Sequence, residues 1–138
     1  MTDLDKARSH LETGNYTCVV VRGNETHFAT DRGVKPLLNW LDQGLEMAGA
    51  SAADRVVGRA TAFLYCLLGV SRVYAGVMSR PAAQVLAASG IDAQYGKLVD
   101  GIINRRGTGP CPFEDAVMHI TDSQEALTAI RNKMTMMN

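Results

Sequence analysis

Apolar positions recur along the chain at spacings that predict a series of short helices and strands. In residues 3–13, Leu4, Ala7 and Leu11 share one stripe, which predicts an amphipathic helix stopped by Gly14-Asn15. Tyr16 to Arg22 is apolar and β-branched and reads as a buried strand. Gly23-Asn24 is a two-residue turn between apolar runs, so Glu25 to Thr30 is expected to fold back as a hairpin partner. From Gly33 onward Val34, Leu37, Leu38, Leu41 and Leu45 follow a helical face, with Pro36 tolerated in the first turn.

Ser51-Ala52-Ala53-Asp54 matches the Ser-x-x-acid capping pattern and predicts one helix from about 52 to 68. Its apolar residues cover most of the circumference, so this helix is expected to be the most buried, with Gly69 ending it. Val70 to Ser79 reads as a strand that is apolar on both faces from Val73 to Met78, the mark of a parallel sheet covered by helices. Pro81 starts a helix to about Ala88, and Ile91 to Tyr95 is the next short strand. Residues 96–109 are less regular. A helix is expected from Pro112, and Thr121-Asp122-Ser123-Gln124 caps a last helix through about Met134, leaving 134–138 as a frayed tail. A hairpin followed by alternating strands and helices indicates an α/β layered fold with right-handed crossovers.

Composition narrows the classes. A length of 138 residues suggests one domain over 1–138, with residues 1–14 as its N-terminal helix. Fourteen Lys and Arg balance fourteen Asp and Glu, so the formal net charge is zero, which argues against a nucleic-acid partner. Three Cys and three His are scattered with no close pair, which excludes a zinc finger, an iron–sulfur cluster or a disulfide scaffold. The N-terminus lacks the apolar core of a secretory signal. The most apolar stretch, Val56 to Val70, is interrupted by Arg59 and falls short of the roughly 20 residues a bilayer span needs, so no membrane partner is expected. Cys18, Cys66 and Cys111 form an odd set suited to a reducing cytoplasm. Cys18 and Cys66 lie in apolar runs and read as inert core residues. Trp40 lies off the main stripe of its helix and suggests an edge or partner surface.

Three blocks carry a resemblance: Gly33-Val34-Lys35-Pro36-Leu37-Leu38; the run Gly49-Ala50-Ser51-Ala52-Ala53-Asp54-Arg55-Val56-Val57-Gly58-Arg59-Ala60; and Ile103-Asn104-Arg105-Arg106-Gly107-Thr108-Gly109-Pro110-Cys111-Pro112-Phe113-Glu114. In this order, from about Cys18 to Met134, the chain resembles the bacterial family called domain of unknown function 1893. The resemblance implies a cytidine-deaminase-like fold: three α/β/α layers around a mixed sheet of about four to five strands that starts with a hairpin. It implies no activity. A zinc deaminase needs His or Cys-x-Glu at one helix start and Pro-Cys-x-x-Cys at the next. By helix order these fall at Asp54-Arg55-Val56 and at Pro81-Ala82-Ala83-Gln84-Val85, where the thiolate positions are Ala82 and Val85. Neither a metal nor a cofactor is therefore expected.

The candidate chemistry lies elsewhere. Asn104 to Pro112 combines two glycines, two arginines and a helix start, so Asn104, Arg105, Gly107, Thr108 and Gly109 are candidates for holding an anion on backbone N–H groups; a tight turn with solvated arginines is the plainer account. Cys111 at the N-cap of the following helix is a candidate nucleophile, with Glu114 in the first turn beside it; the alternative is a small residue at a loop–helix junction. Asp54 is either a helix cap or an acid–base group at the strand-end rim where open α/β sheets bind ligands. Ser79 and Arg80 end a strand facing the same rim. The leading expectation is a protein without zinc chemistry that binds a small anionic or nucleotide-like molecule. The alternatives are an enzyme using Asp54 and Cys111, or an assembly subunit that forms a homo-oligomer.

Overall fold

The computed structural model describes residues 1–104 and 106–137. Five strands form one mixed sheet in the order β2-β1-β3-β4-β5, comprising β1 (Cys18–Arg22), β2 (Glu25–Ala29), β3 (Ser51–Val57), β4 (Arg72–Ser79) and β5 (Asp92–Val99). The expected hairpin is present: β1 pairs antiparallel with β2 across Gly23-Asn24, with Arg22 opposite Glu25. β1 also pairs antiparallel with β3, and β3, β4 and β5 run parallel. Helix α1 (Asp3–Thr13) packs Ala7 and Leu11 against Val19, Val21 and Ala53 on one face of the sheet. The larger core lies on the other face, under α2 (Lys35–Asp42), α3 (Arg59–Leu68), α4 (Arg80–Ala88) and α6 (Ser123–Met137). The result is the expected three-layer α/β/α arrangement, with the layers unequal. A short helix, α5 (Pro112–Ala116), precedes α6.

The main departure concerns residues 51–57, expected as the first turns of one helix and found as β3, the middle strand of the sheet. Ala52 belongs to the large core and Ala53 to the α1 core, so successive residues point to opposite faces with the period of a strand. Hydrogen-bonded neighbours on both sides outweigh the local capping pattern of Ser51 and Asp54. The helical spacing of the sequence belongs only to residues 59–68. Gly58, extended at φ −98°, is the true N-cap of α3, and Gly69 ends it at φ +82°.

Smaller differences have local causes. β5 runs to Val99, beyond the expected Tyr95, because its backbone pairs with β4 through Ser79. α6 continues to Met137, past the expected end near Met134 and into the stretch read as a tail. Trp40, read as a surface residue, is only 7% exposed and sits in the large core, with its ring 6.1 Å from that of His27. Among the described residues no helix is long and apolar enough to cross a membrane.

Arg55 of β3 ties α1 to the sheet. Its Nε donates to the Tyr16 carbonyl at 2.7 Å, and Nη2 donates to the Leu11 and Gly14 carbonyls at 3.1 and 3.2 Å. One side chain thus holds the end of α1 and the segment leading into β1. Removing these charged donors while keeping a stem of similar length, as in Arg55→Met, is expected to cost about 1–3 kcal/mol in urea unfolding. A change of less than about half a kcal/mol would show that the clamp contributes nothing.

Candidate functional site

β3 carries the centre of the site. Asp54 faces the large core and is 8% exposed. The Tyr65 hydroxyl of α3 donates to its Oδ2 at 2.7 Å, and the Val56 backbone N–H donates to Oδ1 at 3.3 Å. Burial pushes the Asp54 carboxyl up from 3.8 to about 7, against the opposing pull of the Tyr65 and backbone hydrogen bonds and of the Arg55 charge. Cys18 lies opposite Asp54 in the β1–β3 ladder. Its thiol is pushed strongly upward, first by burial and then by the Asp54 charge, so it is an inert neutral neighbour, as expected of a core cysteine. Burial likewise raises Tyr65 well above the ordinary phenol value.

Asp54 opens into a cleft of about 700 Å³ at the carboxyl end of β3. The walls come from the approach to β1 (Asn15 to Thr17), the Arg32 to Val34 loop, the first turn of α3, and the segment around Cys111 to Glu114. The lining is more apolar than polar, which suits a small organic molecule oriented by a few polar groups.

The first turn of α3 is already engaged. The Glu114 carboxylate accepts from the backbone N–H of Arg59 at 2.6 Å through Oε1 and of Ala60 at 2.8 Å through Oε2. The positive end of the helix favours such a charge. Gly58 makes room for it, since a Cβ there would collide with the carboxylate. The Arg59 side chain grips the same segment from the other side, donating to the carbonyls of Val117 and Ile120. Residues 114–120 are thereby strapped across the start of α3.

Asp54, Cys111 and Glu114 therefore share one cleft. The other candidates lie outside it. Ser79 is fully buried and caps α4, accepting from the Ala82 N–H at 3.1 Å. Arg80 pairs with Asp100 at 2.9 Å on an exposed surface. Asn104, Gly107, Thr108 and Gly109 form a turn that satisfies itself. Asn104 Oδ1 accepts from the Thr108 N–H at 3.1 Å, its carbonyl accepts from the Gly107 N–H at 3.0 Å, and its N–H donates to the Gly109 carbonyl at 2.8 Å. The N–H groups of Gly107 and Thr108 thus have partners within the loop. Arg105 lies outside the described residues. Asp54 is a strand residue and not the third residue of a helix. Because α3 starts at Arg59, the residues at that helix start are Arg59-Ala60-Thr61, none of which fits the His or Cys-x-Glu pattern of a zinc deaminase. Among the described residues no group of three or more His, Cys, Asp and Glu could hold a metal ion.

Two cleft residues, Thr61 and Arg32, and the buried partner of Asp54, Tyr65, escaped the sequence pattern. Tyr65 was legible in principle, since a phenol inside an apolar helix needs a polar partner. Thr61 and Arg32 carry no such signal.

The raised carboxyl has a consequence for stability. Between about pH 4 and 7 Asp54 is ionised in the unfolded chain and protonated in the folded one. Folding then binds a proton, so Asp54's contribution to stability falls as pH rises through this window and levels off above about 7. The expected slope is at most about 1.4 kcal/mol per pH unit. Asp54→Asn, which keeps an acceptor for Tyr65, should flatten it, as read from urea midpoints at each pH. An unchanged slope would show that Asp54 ionises normally.

No curated protein matches the chain. Among solved structures, a DUF1893 family protein from Thermotoga maritima superposes with a TM-score of 0.82 at 24% identity, over 99% of this chain and 91% of that one. A diaminohydroxyphosphoribosylaminopyrimidine deaminase/5-amino-6-(5-phosphoribosylamino)uracil reductase from the same organism gives a TM-score of 0.43 at 14% identity, over 67% of this chain and 34% of that one. The family model described as Domain of unknown function (DUF1893) matches residues 6–134, and the chain belongs to that family.

Proposed function

We propose that this protein binds a small nucleotide-like molecule in the cleft at the carboxyl end of β3, without zinc chemistry. The observation that carries this reading is the Asp54 carboxyl, held by Tyr65 at the floor of a largely apolar cleft. A carboxyl that lines the cleft, with one oxygen on Tyr65 and the other on the Val56 N–H, keeps acceptor capacity for the N–H edge of a heterocycle, while the apolar walls suit its faces. Arg32 lines the same cleft and supplies a cation for an anionic end. The protein works in the cytoplasm on this reading, and a single domain provides the whole cleft.

The test is thermal unfolding with nucleoside monophosphates at millimolar concentration. A ligand at 100 times its Kd stabilises by about 2.7 kcal/mol, which raises Tm by several degrees for a domain of this size. At least one nucleotide is expected to do so, and Asp54→Asn should lose most of the shift. If no nucleotide exceeds inorganic phosphate, the reading falls.

A second reading, an enzyme with Asp54 as acid–base and Cys111 as nucleophile, is favoured by their place in one cleft. It requires an activated thiol. Iodoacetamide should then label Cys111 with a half-point well below about pH 8.5. A half-point at or above that value removes the nucleophile.

A further inference from the structure

The strap across the start of α3 has a neighbour without a hydrogen-bond role. Thr61, in the first turn of α3, is 7% exposed and lines the cleft. Among the described residues its hydroxyl has no hydrogen-bond partner, yet no fully enclosed side-chain nitrogen or oxygen lacks one. The Thr61 oxygen is therefore not sealed in protein and opens into the cleft. Beside it, the N–H groups of Arg59 and Ala60 hold the two oxygens of Glu114. The first turn of a ten-residue helix thus carries three donors at its positive end, two of them engaged by a carboxylate from the chain itself and one without a partner.

We propose that the first turn of α3 is the site for the phosphoryl or carboxylate group of the ligand, and that Glu114 is an internal competitor which the ligand displaces. This deepens the ligand-binding reading above and rests on it. The incoming anion takes the N–H groups of Arg59 and Ala60 and adds the Thr61 hydroxyl, a third contact that Glu114 does not make. Displacement loosens the segment from Cys111 to Ala116, which then keeps only the partly buried Phe113 side chain and the bond from the Cys111 N–H to the Ile102 carbonyl, since α5 contributes no fully buried residue. The cleft then widens on the side of Cys111 and Phe113. Asp54, the other carboxyl in the cleft, is protonated up to about pH 7, so the anion does not meet a second full charge there.

The experiment follows the backbone amide resonances of Arg59 and Ala60 during titration with inorganic phosphate and, separately, with a nucleoside monophosphate. The wild type is compared with Glu114→Ala and Glu114→Gln, each checked by thermal unfolding. Removing an internal competitor is expected to tighten phosphate binding by about tenfold in Glu114→Ala. Glu114→Gln keeps the shape and one acceptor oxygen and should fall in between, which also serves if the alanine variant unfolds. Adding Thr61→Val to either variant should weaken phosphate severalfold. Failure of phosphate to move these two amides in any folded Glu114 variant would overturn the proposal. If a nucleotide binds at Asp54 while the two amides stay still, the displacement is wrong and the ligand reading survives. If phosphate binds at α3 and no nucleotide does, the anion site stands and the nucleotide reading falls.

Discussion

A carboxyl group in the middle of a sheet is costly unless something holds it, and here the side-chain holder is a phenol, with the Val56 N–H on the other oxygen. The 2.7 Å bond from Tyr65 to Asp54 joins the central strand to the central helix. Both residues are buried, so neither can exchange this partner for bulk water. Desolvation still wins over the hydrogen bonds, and the carboxyl stays neutral to about pH 7. The bond also fixes geometry. Only Gly58 separates β3 from α3, so the helix begins where the strand ends, and the N-terminal turn faces the same opening as Asp54. The cleft at the strand end follows from this tight connection, in the place where α/β sheets commonly bind ligands.

The outer wall of the cleft is attached differently. The large core includes Val117, Ala126 and Ile130 from the C-terminal part of the chain, whereas α5 adds only the partly buried Phe113. The wall from Cys111 to Ala116 is tied to α3 by the Glu114 carboxylate, beside the Phe113 contact and the Cys111 N–H bond to Ile102, and Arg59 grips the carbonyls that follow it. Hydrophobic burial is non-directional and hard to undo locally, whereas a carboxylate on two backbone amides can be exchanged for another anion.

Where sequence pattern succeeded, local and tertiary signals agreed. Leu4, Ala7 and Leu11 make a helical stripe, and the stripe faces the sheet as α1. Gly23-Asn24 sits between two β-branched or alternating runs, and the hairpin register follows. The apolar run from Val73 to Met78 announced a strand covered on both faces. Pattern failed at residues 51–57. Ser51 and Asp54 have the spacing of a cap, and alanines fit a helix as well as a strand. Nothing local distinguishes the two; the decision comes from β1 and β4 on either side. That error moved Asp54 from a helix end to the middle of a sheet, and hid its partner Tyr65 eleven residues on. Ser79 and Arg80 were placed correctly at a strand end, but one caps a helix and the other pairs with Asp100 outside the cleft.

The sequence by itself determined the layered α/β class, the hairpin, the parallel half of the sheet, and the lack of a deaminase ligand pattern, because periodicity and residue identity are local properties. It also named Asp54, Cys111 and Glu114, though alongside Ser79, Arg80, Asn104, Gly107, Thr108 and Gly109, which do not line the cleft. Only the tertiary structure decided that Asp54, Cys111 and Glu114 share a cleft, that Tyr65 holds Asp54, and that Glu114 occupies the start of α3. Those facts depend on contacts between residues as far as 55 positions apart, and no spacing along the chain encodes which distant groups will meet.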